Sequence, residues 1–406
     1  MAHIVHVIGT LNSGGVQRLI LALAATPPLA QHRHSVVCIV DAQGSCAEAF
    51  QKRGMTVYEC PVPWPRHFGF LPYRVVRALR HSLAPTFSWR FARLLRQIGA
   101  DLVHTHVSSR VDLQARAVLQ RAGRAWVWTV HGLYRPEPDA LAQWRTALQI
   151  PAAGRRCVTG VSQAVTDDFR ARVQGPENVI RTCHSATDLQ PFRRMAPARR
   201  ELRQRYGIPT DAVVFGSVGR LVEEKAYDVF IRAAAQLHAR FPEVRFLIAG
   251  DGKQRGALEK IIAELNLQSA FHLIGDTDQV PEFLGNLDVF VLPSRREGFG
   301  MVLVEALAAG LPCIATRVGG IPEILDESAG ILVDAENPEA LAAAMETLLA
   351  PEVRERLRQP ARALAEPFSM EKCATAYAAI YSELLERNRG KTPSTAATLP
   401  QPAGSR

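Results

Sequence analysis

Two carboxylates eight residues apart carry the strongest chemical signal in the sequence. Glu297 lies in a glycine-bearing loop after the apolar strand Val289–Leu292, and Glu305 lies inside the helix that we expect to follow. One carboxylate can therefore face the near end of a ligand while the other reaches its far end. Neither helix packing nor turn geometry requires both acids. Paired carboxylates are also the catalytic groups of glycosidases, and the sequence spacing leaves that alternative open.

Two cations lie on another strand-end loop, after the apolar run Val213–Val218. Arg220 offers a planar guanidinium and Lys225 a point charge, and together they can neutralise a diphosphate. The alternative is a solvated loop in which Glu223 and Glu224 pair with the same two cations. The sequence alone leaves both interpretations open.

Glycines open the first helix, and histidines close two other strands. Gly14 and Gly15 let backbone N–H groups approach an anion, although a tight strand-to-helix turn also needs glycine. His104 and His106 end one strand and His131 ends the next. Ligands bind beyond the carboxyl ends of parallel strands, so these residues are candidates for a site. No acidic or cysteine ligand accompanies the first two, and we expect core or orienting histidines rather than a metal site.

The elements that hold these loops alternate between short β-type runs and longer amphipathic stretches. This alternation is typical of parallel sheets wrapped by helices, so the predicted fold class is α/β with two Rossmann-like domains. A break at residues 182–200 separates two sets of strands. The first set is His3–Ile8, Ser35–Val40, Thr56–Cys60, Leu102–His106, Trp126–Thr129 and Cys157–Gly160. The second set is Val213–Val218, Arg245–Ala249, Phe271–Ile274, Val289–Leu292, Cys313–Thr316 and Gly330–Val333.

The composition narrows the class of protein. A chain of 406 residues with 47% hydrophobic and 21% charged residues has room for two or three domains without disulfides or metal. Its longest apolar stretches are interrupted before they reach membrane-spanning length, and residues 1–9 are typical of a strand rather than a secretory signal. The seven scattered cysteines form no C-x-x-C pair, as expected of reduced thiols. We therefore expect a cytoplasmic protein.

The first half of the chain is basic, and one segment concentrates the charge. Residues 1–190 contain 22 Lys and Arg against 11 Asp and Glu, and residues 64–96 contain seven arginines beside aromatic residues but no carboxylate. Arg74, Arg77 and Arg80 share one helix face, as in an interfacial helix on anionic lipid. A solvated helix whose apolar face packs on the domain explains the segment equally well. No recognised nucleic-acid-binding module accompanies the charge, so no nucleic-acid partner is expected.

Taken in order along the chain, these loops resemble the motifs of the retaining GT-B glycosyltransferases of family 4. The resemblance extends up to about residue 385. Two positions depart from the family: residues 184–188 replace its usual Asn-Gly, and Ala226 replaces its usual Gly. The matching motifs are Gly14–Arg18, Asp101–His106, Thr129–Gly132, Gly219–Leu221, Glu224–Lys225, Gly250–Gly252, Glu297–Glu305, Gly310–Pro312 and Gly319–Glu323.

The resemblance implies two Rossmann-like domains that face each other across a cleft. Residues 1–183 would form the acceptor domain, completed by a returning C-terminal helix at residues 370–387. Residues 184–369 would form the nucleotide-sugar domain. Residues 388–406 are rich in Pro, Thr, Ser and Ala, and we expect a disordered tail.

The resemblance also implies roles for the candidate residues. Arg220 and Lys225 would hold the diphosphate, Glu305 the ribose hydroxyls and Glu297 the donor-sugar hydroxyls, with His131 near the transferred sugar. All of these except Glu305 would be catalytic. No metal or other cofactor is expected, because the cations and a helix N-terminus can stabilise a departing nucleoside diphosphate. Donor-binding contacts would come from Gly15, Gly219, Gly298, Phe299, Gly300 and Glu305.

The predicted function is therefore the transfer of a sugar, with retention, from a nucleotide-sugar to a saccharide acceptor. A UDP-sugar is the first expectation and a GDP-sugar the second. The acceptor would be a cell-envelope polysaccharide, a lipopolysaccharide or a lipid-linked saccharide, reached from the cytoplasm or at the inner face of the plasma membrane. The alternative is a non-catalytic partner subunit of the same fold that binds sugar nucleotides.

Overall fold

Two parallel β-sheets, each wrapped by helices, form the protein, which confirms the predicted α/β class with two Rossmann-like units. The computed structural model describes residues 1–11, 14–41, 44, 46–61, 86–106, 124–133, 156–173, 179–194 and 201–389. The predicted tail began at residue 388, but residues 388 and 389 still belong to the last helix, and the rest of the tail lies outside these ranges. Residues 64–85 of the predicted basic segment, which spans residues 64–96, also lie outside them.

In the first sheet, seven strands of the described chain lie in the order β3-β2-β1-β4-β5-β6-β7, and all neighbours are parallel. Six of them correspond to predicted strands. The seventh, β7, was missed because it has only three residues, of which two are polar. The strands are β1 His3–Thr10, β2 Arg33–Asp41, β3 Thr56–Glu59, β4 Leu102–Thr105, β5 Ala125–Val130, β6 Arg156–Gly160 and β7 Ile180–Thr182.

In the second sheet, six strands lie in the order β10-β9-β8-β11-β12-β13, again with all described neighbours parallel. All six were predicted, because strands of a parallel sheet covered by helices form short, mostly apolar runs. The strands are β8 Val214–Val218, β9 Arg245–Ala249, β10 Phe271–Gly275, β11 Val289–Leu292, β12 Cys313–Thr316 and β13 Gly330–Val333.

Helices connect the parallel strands and cover both faces of each sheet. Those of the first part of the chain are α1 Gly15–Ala25, α2 Ala47–Lys52, α3 at residues 86–97 and α4 Gln163–Val173. Later helices are α5 Gln190–Arg193, α6 Glu201–Arg205, α7 Tyr227–His238, α8 Arg255–Glu264, α9 Val280–Leu284, α10 Met301–Ala308, α11 Pro338–Thr347, α12 Pro351–Ala365 and α13 Met370–Arg389. Short 3₁₀ helices lie at Leu29–Gln31, Glu223–Lys225, Ile321–Glu323 and Glu366–Phe368.

The last helix, α13, packs against the first sheet although it follows the second along the chain. The hydroxyl of Tyr377 lies 2.8 Å from Oγ1 of Thr129 on β5. One turn later, the hydroxyl of Tyr381 lies 2.5 Å from Nδ1 of His104 on β4. These buried polar contacts give the helix a defined register on the sheet, because a shifted helix would leave the hydroxyls without partners.

All seven cysteines are buried and none forms a disulfide, in keeping with the expectation of reduced core thiols. Among the described helices, none is both long and apolar enough to cross a membrane.

The described end of the basic segment is the amphipathic helix α3. Its apolar side buries Phe87, Phe91 and Leu95. Its outer side presents Trp89, which is 59% exposed, and Arg93, whose guanidinium lies 5.4 Å from the Trp89 ring centre. Arg90 and Arg96 are also exposed on this side. The helix is therefore anchored in the domain and carries a basic aromatic outer face.

Candidate functional site

Loops from the carboxyl ends of the two sheets meet in a close contact. Ser162, after β6, donates its hydroxyl to the carbonyl of Gly298, after β11, at 2.7 Å. A Cβ atom on Gly298 would lie 2.5 Å from the carbonyl oxygen of His131, which follows β5. A Cβ atom on Gly15, at the start of α1, would lie 3.5 Å from Sδ of Met301, at the start of α10. The fold thus brings together predicted site residues from both halves of the sequence.

Lys225 and Glu297 form an ion pair beside this contact. The Nζ atom of Lys225 lies 2.6 Å from Oε2 of Glu297, and the side chains are only 17% and 16% exposed. The hydroxyl of Ser294 donates to the same carboxylate oxygen at 3.3 Å. An ammonium group has three hydrogens, so Lys225 can keep this carboxylate and still donate to a second anion. The pair fixes both side chains in place before any ligand arrives.

Arg220 lies on the same loop as Lys225, but it is exposed and forms no ion pair within the described part of the chain. Glu224 pairs instead with Arg296, at 3.4 Å. The interpretation in which Glu223 and Glu224 neutralise Arg220 and Lys225 is therefore wrong. Both acids lie with Lys225 in a short 3₁₀ helix, but Lys225 pairs with Glu297 instead.

Ala226, which stands in place of the family's glycine, has a φ of 53° and a ψ of 39°. This is the left-handed region, which an L-residue with a Cβ atom occupies at a cost of roughly 1–2 kcal/mol. The residue is fully buried in the core of the second domain. Burial of its methyl group, worth about 0.8 kcal/mol, offsets part of that cost. Ala226 therefore adopts a backbone conformation that glycine favours, in spite of its Cβ atom.

Glu305 lies inside α10 and is almost completely enclosed, with 2% exposure. Burial raises the pKa of its carboxyl group, while the charge of Arg18 and a hydrogen bond from Thr187 oppose the rise. The hydroxyl of Thr187 donates to Oε1 at 3.4 Å. Thr187 belongs to the segment that departs from the family's Asn-Gly, so this chain supplies its own hydroxyl to the carboxylate.

The loop between β11 and α10 has the backbone shape that its glycines predict. Gly300 caps α10 with a φ of 104°, in a region that favours glycine. Phe299 is buried, and its ring lies 5.2 Å from that of Phe368 in an edge-to-face arrangement. The first N–H groups of α10 have no partners within the helix and face this loop, as at the start of any helix. The buried Phe299 ring and the left-handed Gly300 hold the loop in this position.

Glu323 joins the domains in a way that the sequence did not predict. Its two carboxylate oxygens accept hydrogen bonds from the backbone N–H groups of Gln163 and Ala164, at 2.7 and 2.8 Å, at the start of α4. His184 lies 2.9 Å from the same carboxylate. Burial tends to raise the pKa of Glu323, but these hydrogen bonds outweigh it and the pKa is lowered. An anion at a helix N-terminus is the arrangement that the helix dipole favours.

The predicted strand-end histidines lie inside the first sheet. Ring nitrogens of His104 contact Tyr381 and Thr129, and Nδ1 of His106 lies 3.2 Å from Nε2 of His131. His131 is partly exposed, and its surroundings lower its pKa to about 4. His131 is therefore neutral at ordinary pH, so it can exchange hydrogen bonds with a ligand but adds no charge.

Comparisons with known proteins agree on one family. The model "Glycosyltransferase Family 4" matches residues 13–191, and "Glycosyl transferases group 1" matches residues 198–364. A D-inositol 3-phosphate glycosyltransferase from Saccharomonospora viridis is 34% identical over 315 residues, covering 71% of this chain and 72% of that protein. A GDP-mannose-dependent alpha-(1-6)-phosphatidylinositol monomannoside mannosyltransferase from Mycolicibacterium smegmatis is 30% identical over 292 residues, covering 68% and 75%.

A solved structure agrees on the fold. A glycosyltransferase from Rickettsia africae has a TM-score of 0.79 over 95% of this chain and 99% of that one, at 19% identity. The likeness confirms the predicted GT-B architecture of two Rossmann-like domains.

Replacement of Gly298 by alanine should interfere with domain contact. The new Cβ atom would lie 2.5 Å from the His131 carbonyl oxygen and 2.8 Å from the Gly132 Cα atom, and neither belongs to a flexible side chain. Overpacking of this kind costs about 1–3 kcal/mol of stability. Because the crowded atoms belong to different domains, this cost should weaken the contact between the domains. We expect the variant to have a larger radius of gyration than the wild type in small-angle X-ray scattering. We also expect its rate of glycosyl transfer to be at least about tenfold lower.

The matched control is Gly256→Ala, on the exposed side of α8, where a Cβ atom meets nothing within 4 Å. It should leave both quantities unchanged. A Gly298→Ala protein with wild-type scattering and rate would show that the two loops do not need this close approach.

Proposed function

The chain belongs to the group 1 and family 4 glycosyltransferases, and from this membership we propose that it transfers a sugar, with retention of anomeric configuration, from a nucleotide-sugar to a saccharide acceptor. As a member it is an enzyme, so the non-catalytic alternative falls away. The observation that carries the proposal is the meeting of the Lys225–Glu297 pair, the start of α10 and His131 at one contact between the domains. A cation, a carboxylate and a helix N-terminus are the groups that a sugar diphosphate requires.

In the proposed reaction the bond between the anomeric carbon and the diphosphate oxygen breaks. The acceptor oxygen bonds to that carbon on the same face, and its proton passes to the departing phosphate oxygen. Negative charge grows on the diphosphate as it leaves. Arg220, Lys225 and the N–H groups at the start of α10 stabilise this charge, so the reaction needs no metal ion.

The carboxylates hold the hydroxyl groups of the donor. Glu297 accepts hydrogen bonds from hydroxyl groups of the transferred sugar, which lies beside His131. Lys225 keeps its ion pair with Glu297 and donates a further hydrogen bond to the diphosphate. Glu305 accepts from the ribose hydroxyls, which must share or replace the hydroxyl of Thr187. Backbone groups of Gly15, Gly219, Gly298, Phe299 and Gly300 complete the donor site.

We propose a UDP-sugar as the donor, with a GDP-sugar as the alternative that the mannosyltransferase relative supports. The proposed acceptor is a cell-envelope or lipid-linked saccharide, which the same relative's phosphatidylinositol mannoside also supports. The test is to incubate the purified protein with a panel of UDP- and GDP-sugars and candidate acceptors, with and without EDTA, and to identify the anomer formed. Inverted product, or activity lost in EDTA and restored by Mn²⁺, would contradict the proposed mechanism.

Arg220→Ala should lower kcat by about 100-fold, the effect of removing one donor that acts mainly in the transition state. Because Arg220 is exposed and makes no ion pair among the described residues, its loss should leave the melting temperature unchanged. Steady-state kinetics and thermal melting measure the two effects. The control is Arg232→Ala, an exposed arginine on α7. Rates within about threefold of each other in the two variants would remove Arg220 from the diphosphate site.

We also propose that α3 rests on an anionic membrane where the acceptor is found. Three exposed arginines, Arg90, Arg93 and Arg96, lie beside the exposed ring of Trp89. Each arginine near an anionic surface contributes about 1 kcal/mol, so changing all three to serine should weaken binding on the order of 100-fold. Co-sedimentation with phosphatidylserine-containing and neutral vesicles, at low and high salt, measures this.

The control changes three exposed arginines of the second domain, Arg232, Arg317 and Arg356, to serine. It removes the same charge without touching α3. If the wild type ignores anionic vesicles at low salt, or if both triple variants lose binding equally, α3 is a solvated face.

A further inference from the structure

A row of four histidine rings crosses the first sheet. His34 on β2, His6 on β1, His106 after β4 and His131 after β5 lie on strands that are neighbours in the order β2-β1-β4-β5. Nδ1 of His34 lies 3.1 Å from Nε2 of His6. Nδ1 of His6 lies 3.2 Å from Nε2 of His106, and Nδ1 of His106 lies 3.2 Å from Nε2 of His131. Each link therefore joins the Nδ1 atom of one ring to the Nε2 atom of the next.

A backbone carbonyl closes one end of the row. Nε2 of His34 lies 3.0 Å from the oxygen of Leu29, and a carbonyl oxygen can only accept. The hydrogen of a neutral His34 is therefore on Nε2, and its Nδ1 must accept from His6. The same rule repeats at His6 and at His106, because a neutral imidazole has one donor and one acceptor. At the far end, His131 donates through Nε2 and keeps a lone pair on Nδ1.

This arrangement of ring hydrogens requires all four imidazoles to be neutral, and their burial favours the neutral form. His6 is fully buried, and His34 and His106 are 7% and 6% exposed. Burial lowers the pKa of all four histidines, to about 4 for His131. A second proton on any ring would set two donors against one another in a site with little access to water.

The free end of the row lies at the candidate site. The Nδ1 atom of His131 has no hydrogen-bond partner among the residues that the structure describes, and the ring is partly exposed. Its backbone carbonyl lies against Gly298 of the other domain. The available nitrogen is therefore an acceptor beside the loop that carries Glu297.

We propose that the Leu29 carbonyl, acting through the row His34–His6–His106, holds His131 in the tautomer that accepts a hydrogen bond from a hydroxyl of the bound sugar. The sugar in this statement rests on the proposed function, whereas the tautomer does not. His34, His6 and His106 are then positioning residues, since they touch no substrate. A sugar with fluorine in place of the contacting hydroxyl cannot donate this hydrogen bond. We therefore expect such a sugar to bind more weakly than the hydroxyl compound.

The same histidines offer a second interpretation, as a metal site. Ring nitrogens of His6, His104 and His106 lie within 4.8 Å of one another. Within the described structure, however, both nitrogens of each ring already have partners. A metal ion would have to break the row, so metal content is a direct test between the two interpretations.

The principal experiment is long-range ¹H–¹⁵N correlation NMR on ¹⁵N-histidine-labelled, ligand-free protein, which distinguishes protonated from unprotonated ring nitrogens. We expect His34, His6, His106 and His131 each to be neutral with the hydrogen on Nε2, and we expect no stoichiometric metal by elemental analysis. An Nδ1–H form or a doubly protonated ring at His131 would overturn the proposal, as would one zinc ion per chain. This measurement needs neither a variant nor a substrate.

The role of the Leu29 carbonyl as the anchor of the row is tested with His34→Leu, which removes its hydrogen-bond donor. Without the Leu29 contact the remaining rings can reverse their direction, so the Nδ1–H fraction at His131 should rise at least about tenfold, given the cost of an unmade buried hydrogen bond. The control is His3→Leu, which removes a buried histidine from the opposite face of β1. It should leave the tautomer unchanged. An unchanged His131 in His34→Leu, or an equal change in both variants, would contradict the anchor.

The ligand is tested by adding the donor found in the sugar-nucleotide panel. Saturation should shift the His131 Nδ1 resonance in the direction of hydrogen bonding, and the fluoro-analogue at the contacting position should not. A donor that turns over without moving this resonance would overturn the ligand part of the proposal. Absence of turnover with any donor would count against the proposed function, while the ligand-free spectrum would still decide the tautomer.

Discussion

The contact between the two domains positions the candidate site, and specific hydrogen bonds define it beside a buried apolar cluster to which both domains contribute. Ser162 donates to the Gly298 carbonyl, and Glu323 of one domain accepts from the first backbone amides of α4 in the other. Hydrogen bonds are directional, so they fix the relative positions of the loops more narrowly than apolar packing alone. The arrangement of the site residues from the two domains depends on this contact.

The charges at the site are arranged so that a ligand completes them. Lys225 and Glu297 are held against each other in a place with little solvent, while Arg220 is left exposed on the same loop. Glu305 is enclosed, and burial raises the pKa of its carboxyl group. Under the proposed function, ribose hydroxyl groups would donate hydrogen bonds to this carboxylate and oppose the rise in its pKa. The site thus combines a preformed ion pair with an exposed cation and an enclosed carboxylate.

The core of the first domain contains several histidines that are joined to one another and to their neighbours by hydrogen bonds. Buried histidines need partners for both nitrogens, and here side chains of neighbouring strands, Tyr381 of α13 and a backbone carbonyl provide them. Polar networks in a core are costly when incomplete and specific when complete. The returning helix α13 joins this network through Tyr381 and packs its apolar side on the same sheet.

The sequence by itself determined the fold and identified the residues of a candidate site. Strands of a parallel sheet are mostly apolar runs, and left-handed or crowded loop positions favour glycine, so β8–β13 and the loops around Gly298 and Gly300 were predicted. Only the tertiary structure decided which charged groups are partners: Lys225 pairs with Glu297, 72 residues away, and not with its neighbour Glu224. It also revealed the short strand β7, the role of Glu323 and the row from His34 to His131. Such contacts join residues that are distant along the chain, and local periodicity contains no information about which distant groups meet.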